Sequence, residues 1–135
     1  MRSISGGGKT TYVQKHFPNA FVCSADNYFI KDGVYTFDPK QLGNAHSWCF
    51  HQFEAALQRN ENTVVLDNTN TKLWEFKGYL DLAAKYGYDV KVIRLVVDPK
   101  IAAARNLHGV PTEKVQQMQD RFQDLEGEEI VDTTI

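Results

Sequence analysis

Apolar residues in this chain fall into two patterns that alternate. Short runs, Ala20-Phe21-Val22-Cys23-Ser24, Thr63-Val64-Val65-Leu66-Asp67 and the segment Asp89 to Val97, read as buried strands. Between them apolar positions recur every three or four residues. Leu42, Ala45, Cys49, Phe53, Ala56 and Leu57 form one helical stripe, opened by Asp38 as cap and Pro39 at the first helical position. Leu73, Leu80, Ala83 and Ala84 form a second over Thr71 to Tyr86, with Gly87 as its stop. Lys9 to Phe17 predicts a short first helix ended by Pro18-Asn19. Asp98-Pro99 opens another that ends near Leu107, with Gly109 just beyond. Val115, Met118, Phe122 and Leu125 predict a last helix over Thr112 to Leu125. Helices alternating with short apolar strands predict an α/β domain with a parallel sheet.

Two segments fall outside that alternation. Tyr28 to Phe37 predicts a hairpin or tight loop around Asp32-Gly33, whose aromatic residues either form a lip over a site or pack on the domain's edge. Glu126 to Ile135 is acidic and is expected to be a loosely attached tail. The predicted organisation is one domain over residues 1–125 followed by this tail, 126–135.

Composition changes the picture in three ways. A chain of 135 residues with 42% hydrophobic and 24% charged residues is an ordinary single domain with a real core. A net charge of −2 leaves no excess of Lys and Arg, so a nucleic-acid contact is expected to be short, such as one strand end. Cys23 and Cys49 lie far apart without metal-ligand spacing, and each sits among apolar residues. Buried free thiols and a reducing, cytoplasmic compartment are expected. The longest apolar run, Val90 to Val97, is broken by Lys91 and Arg94, so no membrane span or membrane partner is expected.

The candidate chemistry begins at Ser5-Gly6-Gly7-Gly8-Lys9-Thr10-Thr11, which reads as a phosphate-binding loop. Three glycines let the backbone turn several N–H groups towards one anion. Lys9 adds a fixed charge, and the Thr10 hydroxyl can ligate the Mg²⁺ that accompanies a nucleotide. The helix that follows favours phosphate at its N-terminus. Against the pattern G-x-x-x-x-G-K-[ST], Ser3 stands where the first glycine falls, at modest cost if its φ is negative. A flexible glycine-rich arm is the bland alternative, and G-K-T-T directly before a helix speaks against it.

Asp26 follows the first strand at its carboxyl end, where open parallel sheets build ligand crevices. A polar turn would also explain Ala25-Asp26-Asn27. Asp67 ends the second strand, the arrangement in which a carboxylate holds Mg²⁺ through water. Arg105, late in a short helix, suits either charge stabilisation on transferring phosphates or the dipole of its own helix. His46 and His51 lie off the apolar stripe and are expected to be partly exposed structural residues.

Together S-G-G-G-K-T-T, C-S-A-D-N-Y, L-D-N-T-N and A-R-N-L-H-G-V-P resemble small P-loop kinases, AAA-type and zeta-toxin-like enzymes among them. The resemblance is strongest to the kinase domain of phage polynucleotide 5′-hydroxyl kinase and runs from Arg2 to about Leu125. It implies a P-loop NTPase-type three-layer α/β/α fold and an ATP- and Mg²⁺-dependent transfer of the γ-phosphoryl group to a hydroxyl. Lys9 and Thr10 would hold the outer phosphates and Mg²⁺, with Asp67 on the metal. Asp26 would take the proton of the attacking hydroxyl, Thr69 and Asn70 would lie beside the acceptor, and Arg105 would neutralise phosphate charge. The acceptor implied is a polynucleotide 5′-hydroxyl. A small-molecule kinase acting on a nucleoside or sugar nucleotide, and a nucleotide-binding module without catalysis, are the alternatives. In the family fold an apolar strand also runs into the phosphate loop, whereas here Met1-Arg2-Ser3-Ile4 alone precede it. The first strand is therefore expected to be truncated, its slot filled by residues ahead of Met1 or, poorly, by the acidic tail.

Overall fold

The computed structural model describes residues 1–105 and 110–133; the expected helix end at Leu107, with His108 and Gly109, lies outside them. Helix α1 spans Lys9–His16 and strand β1 Phe21–Cys23, and a 3₁₀ turn follows over Ala25–Phe29. Strands β2 (Ile30–Lys31) and β3 (Val34–Tyr35) form the expected hairpin. Its turn residues Asp32 and Gly33 stand at φ 52° and 78°, the left-handed pair a two-residue hairpin turn requires. Asp38 caps a short 3₁₀ turn over Pro39–Gln41 that runs into α2, Leu42–Gln58. Then come β4 (Val64–Leu66), α3 (Leu73–Lys85), β5 (Ile93–Val96), α4 (Pro99–Arg105), α5 (Thr112–Asp120) and β6 (Glu129–Asp132).

The sheet is built as two parallel pairs, β1 with β4 and β5 with β6. The chain's first residues join them. The Met1 amine donates to the Leu66 carbonyl at 2.9 Å, Arg2 N–H to Ile93 O at 2.8 Å, and Leu95 N–H to Arg2 O at 2.8 Å. Arg2 thus sits as a parallel bridge beside Arg94. The expectation of a truncated first strand needs refining on this point. Met1 to Ile4 take the carboxyl-end positions between β4 and β5. Towards the amino ends of those strands lies a cleft of about 210 Å³ lined by residues such as Val64, Leu66, Phe76, Tyr79 and Val92.

The expected loose tail is corrected outright. Glu129 N–H bonds Val92 O at 2.9 Å and Thr133 N–H bonds Val96 O at 2.8 Å, so β6 extends the sheet on the outer side of β5 rather than filling the cleft. Apolar patterning does not announce this strand, because Ile130 is 63% exposed. Charge holds it instead. The Glu128 carboxylate, 3% exposed, pairs with the guanidinium groups of Arg2 and Arg94. Arg2 itself is 1% exposed and donates further to the carbonyls of Asn70, Thr71 and Gln123. Its flat group lies between the rings of Phe76 and Phe122, at 4.8 and 4.7 Å. A buried guanidinium tolerates that place because each of its three nitrogens has a partner and its charge is answered.

Two apolar cores flank the sheet. Cys23, Phe29, Cys49, Phe53, Leu57, Phe76 and Tyr79 belong to the larger, beneath α2 and α3; Ile4, Val97, Ala102 and Val115 form the smaller, beneath α4 and α5. Helix α5 stops at Asp120, short of the expected Leu125, yet Phe122 still packs on the smaller core. The third predicted strand is likewise shorter, Ile93–Val96.

Candidate active site

The phosphate loop owes its shape to close backbone approaches. Gly7 N–H bonds Ile4 O at 3.1 Å, and Gly8, at φ 90°, ends the loop as the N-cap of α1. A Cβ on Gly6 would come within 1.9 Å of the Ala102 carbonyl oxygen. One on Gly7 would lie 1.6 Å from Ser3 Oγ. Ser3 therefore fills space that Gly7 leaves open. Its φ does not enter the positive region, so no glycine is required there, and its hydroxyl donates to Ile4 O at 2.9 Å.

Lys9 and Thr10, in the first turn of α1, reach towards the carboxyl ends of β1 and β4. Burial lowers the Lys9 pKa, opposed by the charges of Asp67 and Asp26. Burial raises that of Asp67, opposed by Lys9, by the Met1 amine and by a hydrogen bond from the Thr10 side chain, while Asp26 raises it further. These mutual influences place Lys9, Thr10, Asp67 and Asp26 around one point. Thr10 and Asp67 together offer two hard oxygen donors, and among the described residues no cluster of three or more His, Cys, Asp or Glu stands ready for a metal. That donor set fits Mg²⁺, which commonly keeps several waters and takes its remaining ligands from phosphates.

Asp26 is exposed at the start of the 3₁₀ turn, its N–H donating to Ser24 Oγ at 3.3 Å. The turn is pinned by a residue the sequence reading passed over. Asn68 Oδ1 accepts from Ala25 N–H at 2.9 Å while its Nδ2 donates to Cys49 Sγ at 3.7 Å, tying the loop after β4 to both Asp26's turn and α2. Its signal was available, since a polar residue directly after a strand-end acid usually bonds nearby backbone. Tyr35 also faces this region, its pKa raised by burial and then by the charge of Asp26.

Thr69 and Asn70 are drawn into the scaffold. Thr69 O accepts from Ser3 N–H at 3.1 Å. Asn70, at φ 50° and 4% exposed, gives its side-chain amide to Met1 O at 2.9 Å. These contacts hold the approach to the phosphate loop. Arg105 is exposed at the end of α4, and its Nη1 would lie 4.0 Å from a Cβ on Gly8, which brings its charge to the loop. Thr133, beyond β6, is a second residue missed from sequence; its Oγ1 donates to Gly7 O at 2.7 Å. The thiols of Cys23 and Cys49 are buried and unlinked, that of Cys23 pushed up to about 12 by burial, so neither is poised as a nucleophile. His46 and His51 are exposed on α2. No helix among the described residues is long and apolar enough to cross a membrane.

A family model described as an AAA domain matches residues 1–125. NEDD4-binding protein 2 of Homo sapiens is 36% identical over 132 residues, covering 91% of this chain and 7% of that protein; the chain thus spans about 7% of its length. A proposed kinase from Chloroflexus aurantiacus superposes with a TM-score of 0.67 at 16% identity, over 98% of this chain and 87% of its own. A gluconokinase from Sinorhizobium meliloti does so with a TM-score of 0.59 at 13% identity, over 99% and 79%. At those identities the two structures establish a shared α/β fold.

Proposed function

The chain belongs to this AAA domain family, and from that premise we propose that it is an ATP- and Mg²⁺-dependent kinase acting on a hydroxyl. One observation carries the reading: a phosphate loop lysine and threonine meet one carboxylate at a strand end, Asp67, and a second, exposed carboxylate, Asp26, across the same point. The first three suit a nucleotide with its metal. The fourth, exposed at the start of the 3₁₀ turn that follows β1, stands across from them, which suits an acceptor.

In the reaction the acceptor oxygen attacks the γ-phosphorus and forms the new O–P bond. The bond from that phosphorus to the β–γ bridging oxygen breaks, ADP leaves, and the hydroxyl proton passes to Asp26. Thr10 and Asp67 would hold Mg²⁺, which would supply charge neutralisation on the transferring phosphates. Lys9 and Arg105 contribute positive charge from two sides, the loop amides orient the phosphates, and Asn68 fixes the turn that carries Asp26. Catalysis of this kind is mostly positioning and electrostatics.

A polynucleotide 5′-hydroxyl is the acceptor favoured by the Asp67-Asn68-Thr69-Asn70 stretch. The fold shared with a gluconokinase supports a small-molecule acceptor instead. Incubation with ATP, Mg²⁺ and a panel of a 5′-hydroxyl hexanucleotide, nucleosides, sugar nucleotides and gluconate separates the two. Asp26→Asn keeps the shape and removes the base, so turnover is expected to fall by roughly 10²–10⁴-fold with ATP affinity barely changed. Transfer to no member of the panel, with ATP bound, would leave a nucleotide-binding module. Loss of ATP binding in the variant would make Asp26 a metal ligand or a structural cap.

A further inference from the structure

The hairpin of β2 and β3, with Phe37 just beyond it, packs across the turn that carries Asp26. Thr36 N–H bonds Phe29 O at 2.9 Å, and Ile30 pairs with Tyr35 across the two strands. Phe29, 3% exposed, is the ledge they share. Tyr35 meets its ring edge-on at 6.3 Å, and Phe37 does so at 5.1 Å. In a 3₁₀ turn residues three apart eclipse one another, so Asp26 lines up with Phe29, exposed where Phe29 is buried. Tyr35 and Phe37 thus flank the side of the turn that presents the carboxylate. Tyr35 is close enough to Asp26 for its hydroxyl to feel that charge.

Packing at the domain's edge accounts for only part of this. A phenylalanine at position 35 would cover Phe29 as well as Tyr35 does, so the hydroxyl is extra to that contact. Phe37 and Ile30 stay 48% and 47% exposed. Apolar area left in water beside a carboxylate costs transfer free energy that a bound carbon skeleton would return. An apolar wall on which a few polar groups converge, here Tyr35 and Asp26, is how small-molecule sites are composed. The left-handed turn at Asp32 and Gly33 closes the hairpin tightly, which suits a wall that must hold its shape. Charge narrows the occupant. Between residues 26 and 40, Asp26, Asp32 and Asp38 outnumber Lys31 and Lys40. A gluconate carboxylate would face that excess, whereas a neutral sugar ring would not.

We propose that Tyr35 and Phe37 bind the phosphoryl acceptor as a neutral sugar ring: Phe37 covers its carbon face, and the Tyr35 hydroxyl donates to one of its oxygens, turning the attacking hydroxyl towards Asp26. The inference rests on the kinase reading and narrows it, because an acidic open-chain acceptor has neither the neutral charge nor the ring face. A free nucleoside and the 5′ end of a strand present the same ring, and they form separate arms of the test.

The test measures transfer kinetics with ATP and Mg²⁺, and calorimetric acceptor binding with a non-hydrolysable ATP analogue, for thymidine, a 5′-hydroxyl thymidylate hexamer and gluconate. Thymidine, the hexamer or both should bind, and more tightly than gluconate. Tyr35→Phe keeps the ring on Phe29 and removes the donor, so KM and calorimetric Kd for the thymidine probe should rise about 2- to 12-fold. Phe37→Ala should raise them about 3- to 10-fold, and Phe37→Leu should recover most of that loss. In each variant KM for ATP should hold, kcat should change less than the acceptor KM, and the melting temperature of Tyr35→Phe should match the parent. Unchanged acceptor Kd in Tyr35→Phe and Phe37→Ala, or preference for gluconate, would overturn the assignment. So would an equal rise in KM for ATP, which would mark a merely structural hairpin. Binding that depends on Tyr35 and Phe37 without transfer would keep the wall and defeat the kinase reading. Transfer to thymidine with an unaltered KM in both variants would do the reverse, and neither binding nor transfer with either thymidine probe would defeat the wall.

Discussion

The two ends of the sheet are held together by different forces. At the carboxyl ends of β4 and β5, the chain's first residues lie between the strands, and amine, amides and carbonyls are answered across the seam. Arg2, Glu128, Asn70 and Ser3, all buried there, are polar. At the amino ends, the same two strands face each other across an apolar cleft of about 210 Å³. Order at the first end comes from hydrogen bonds and charge, which fix directions. What the second end offers is apolar area, which rewards filling and specifies little geometry. The candidate site sits at the end that is geometrically specified, as a group that had to be held to a fraction of an ångström would require.

Breaking the polar end at its centre has the largest expected effect. Lys9→Ala removes a charge-assisted phosphate contact of roughly 1.5–3 kcal/mol, so ATP affinity should fall tenfold or more by calorimetry. It also removes the cation that offsets the raised pKa of Asp67, and that carboxyl should then titrate higher still. Unchanged ATP affinity would mean that the loop is not a phosphate site.

Much of that end was legible in the chain because its signals are local. S-G-G-G-K-T-T reads as a tight glycine turn suited to an anion, and Asp26 and Asp67 each follow a short apolar strand, so the three could be placed at one end of the sheet from the sequence alone. Helix cores were legible for the same reason: Ala45, Cys49, Phe53 and Ala56 repeat at helical spacing, and all are buried. What escaped depends on distant partners. Glu128 and Glu129 looked like a solvated acidic tail, and became strand because Arg2 and Arg94 answer Glu128 from far along the sequence. Arg2, noted in the sequence only as one of four residues ahead of the loop, is buried between Phe76 and Phe122. Asn70 read as a substrate residue, yet its amide is committed to Met1. Periodicity reports burial of apolar faces; it carries no information about which buried charges will meet.

The seam between the two ends offers a smaller and sharper test. Burial lowers the Met1 amine from its ordinary 8.0 to about 6, with Asp67 opposing the shift. Between those values the unfolded chain binds more protons than the folded one, so stability should rise as pH climbs from about 6 to 8 and level off above. Residual contact of Met1 with water should keep the gain below about 2 kcal/mol. Joining about five apolar residues ahead of Met1 converts the amine to an ordinary peptide N–H and supplies apolar side chains to the cleft. The melting temperature should then rise and lose its slope between pH 6 and 8. A slope that persists in the extended chain would show that some other group titrates there.

The smallest expected effect concerns the strand that was read as a tail. Thr133 Oγ1 donates to Gly7 O at 2.7 Å, while Thr133 N–H bonds Val96 O, so one residue ties the end of β6 to β5 and to the phosphate loop at once. Gly7 cannot be held through a side chain of its own, since any Cβ would collide with Ser3 Oγ; its carbonyl is the available handle. Thr133→Val keeps the shape of the side chain and removes the donor, at a cost of about 0.5–1.5 kcal/mol. Because the bond acts on the loop rather than on ATP, the loss should appear as loosened loop order that nucleotide binding must restore. ATP affinity is expected to fall about two- to tenfold, and the Gly7 and Thr133 amides to exchange faster in the nucleotide-free protein and more nearly alike once ATP is bound. A truncation after Asp132 should match the valine variant if the hydroxyl is what matters, and exceed it if the backbone bond to Val96 carries the effect. Equal ATP affinity and equal exchange in all three proteins would confine β6 to the polar seam and leave the phosphate loop to order itself through Ser3, Ile4 and Ala102 alone.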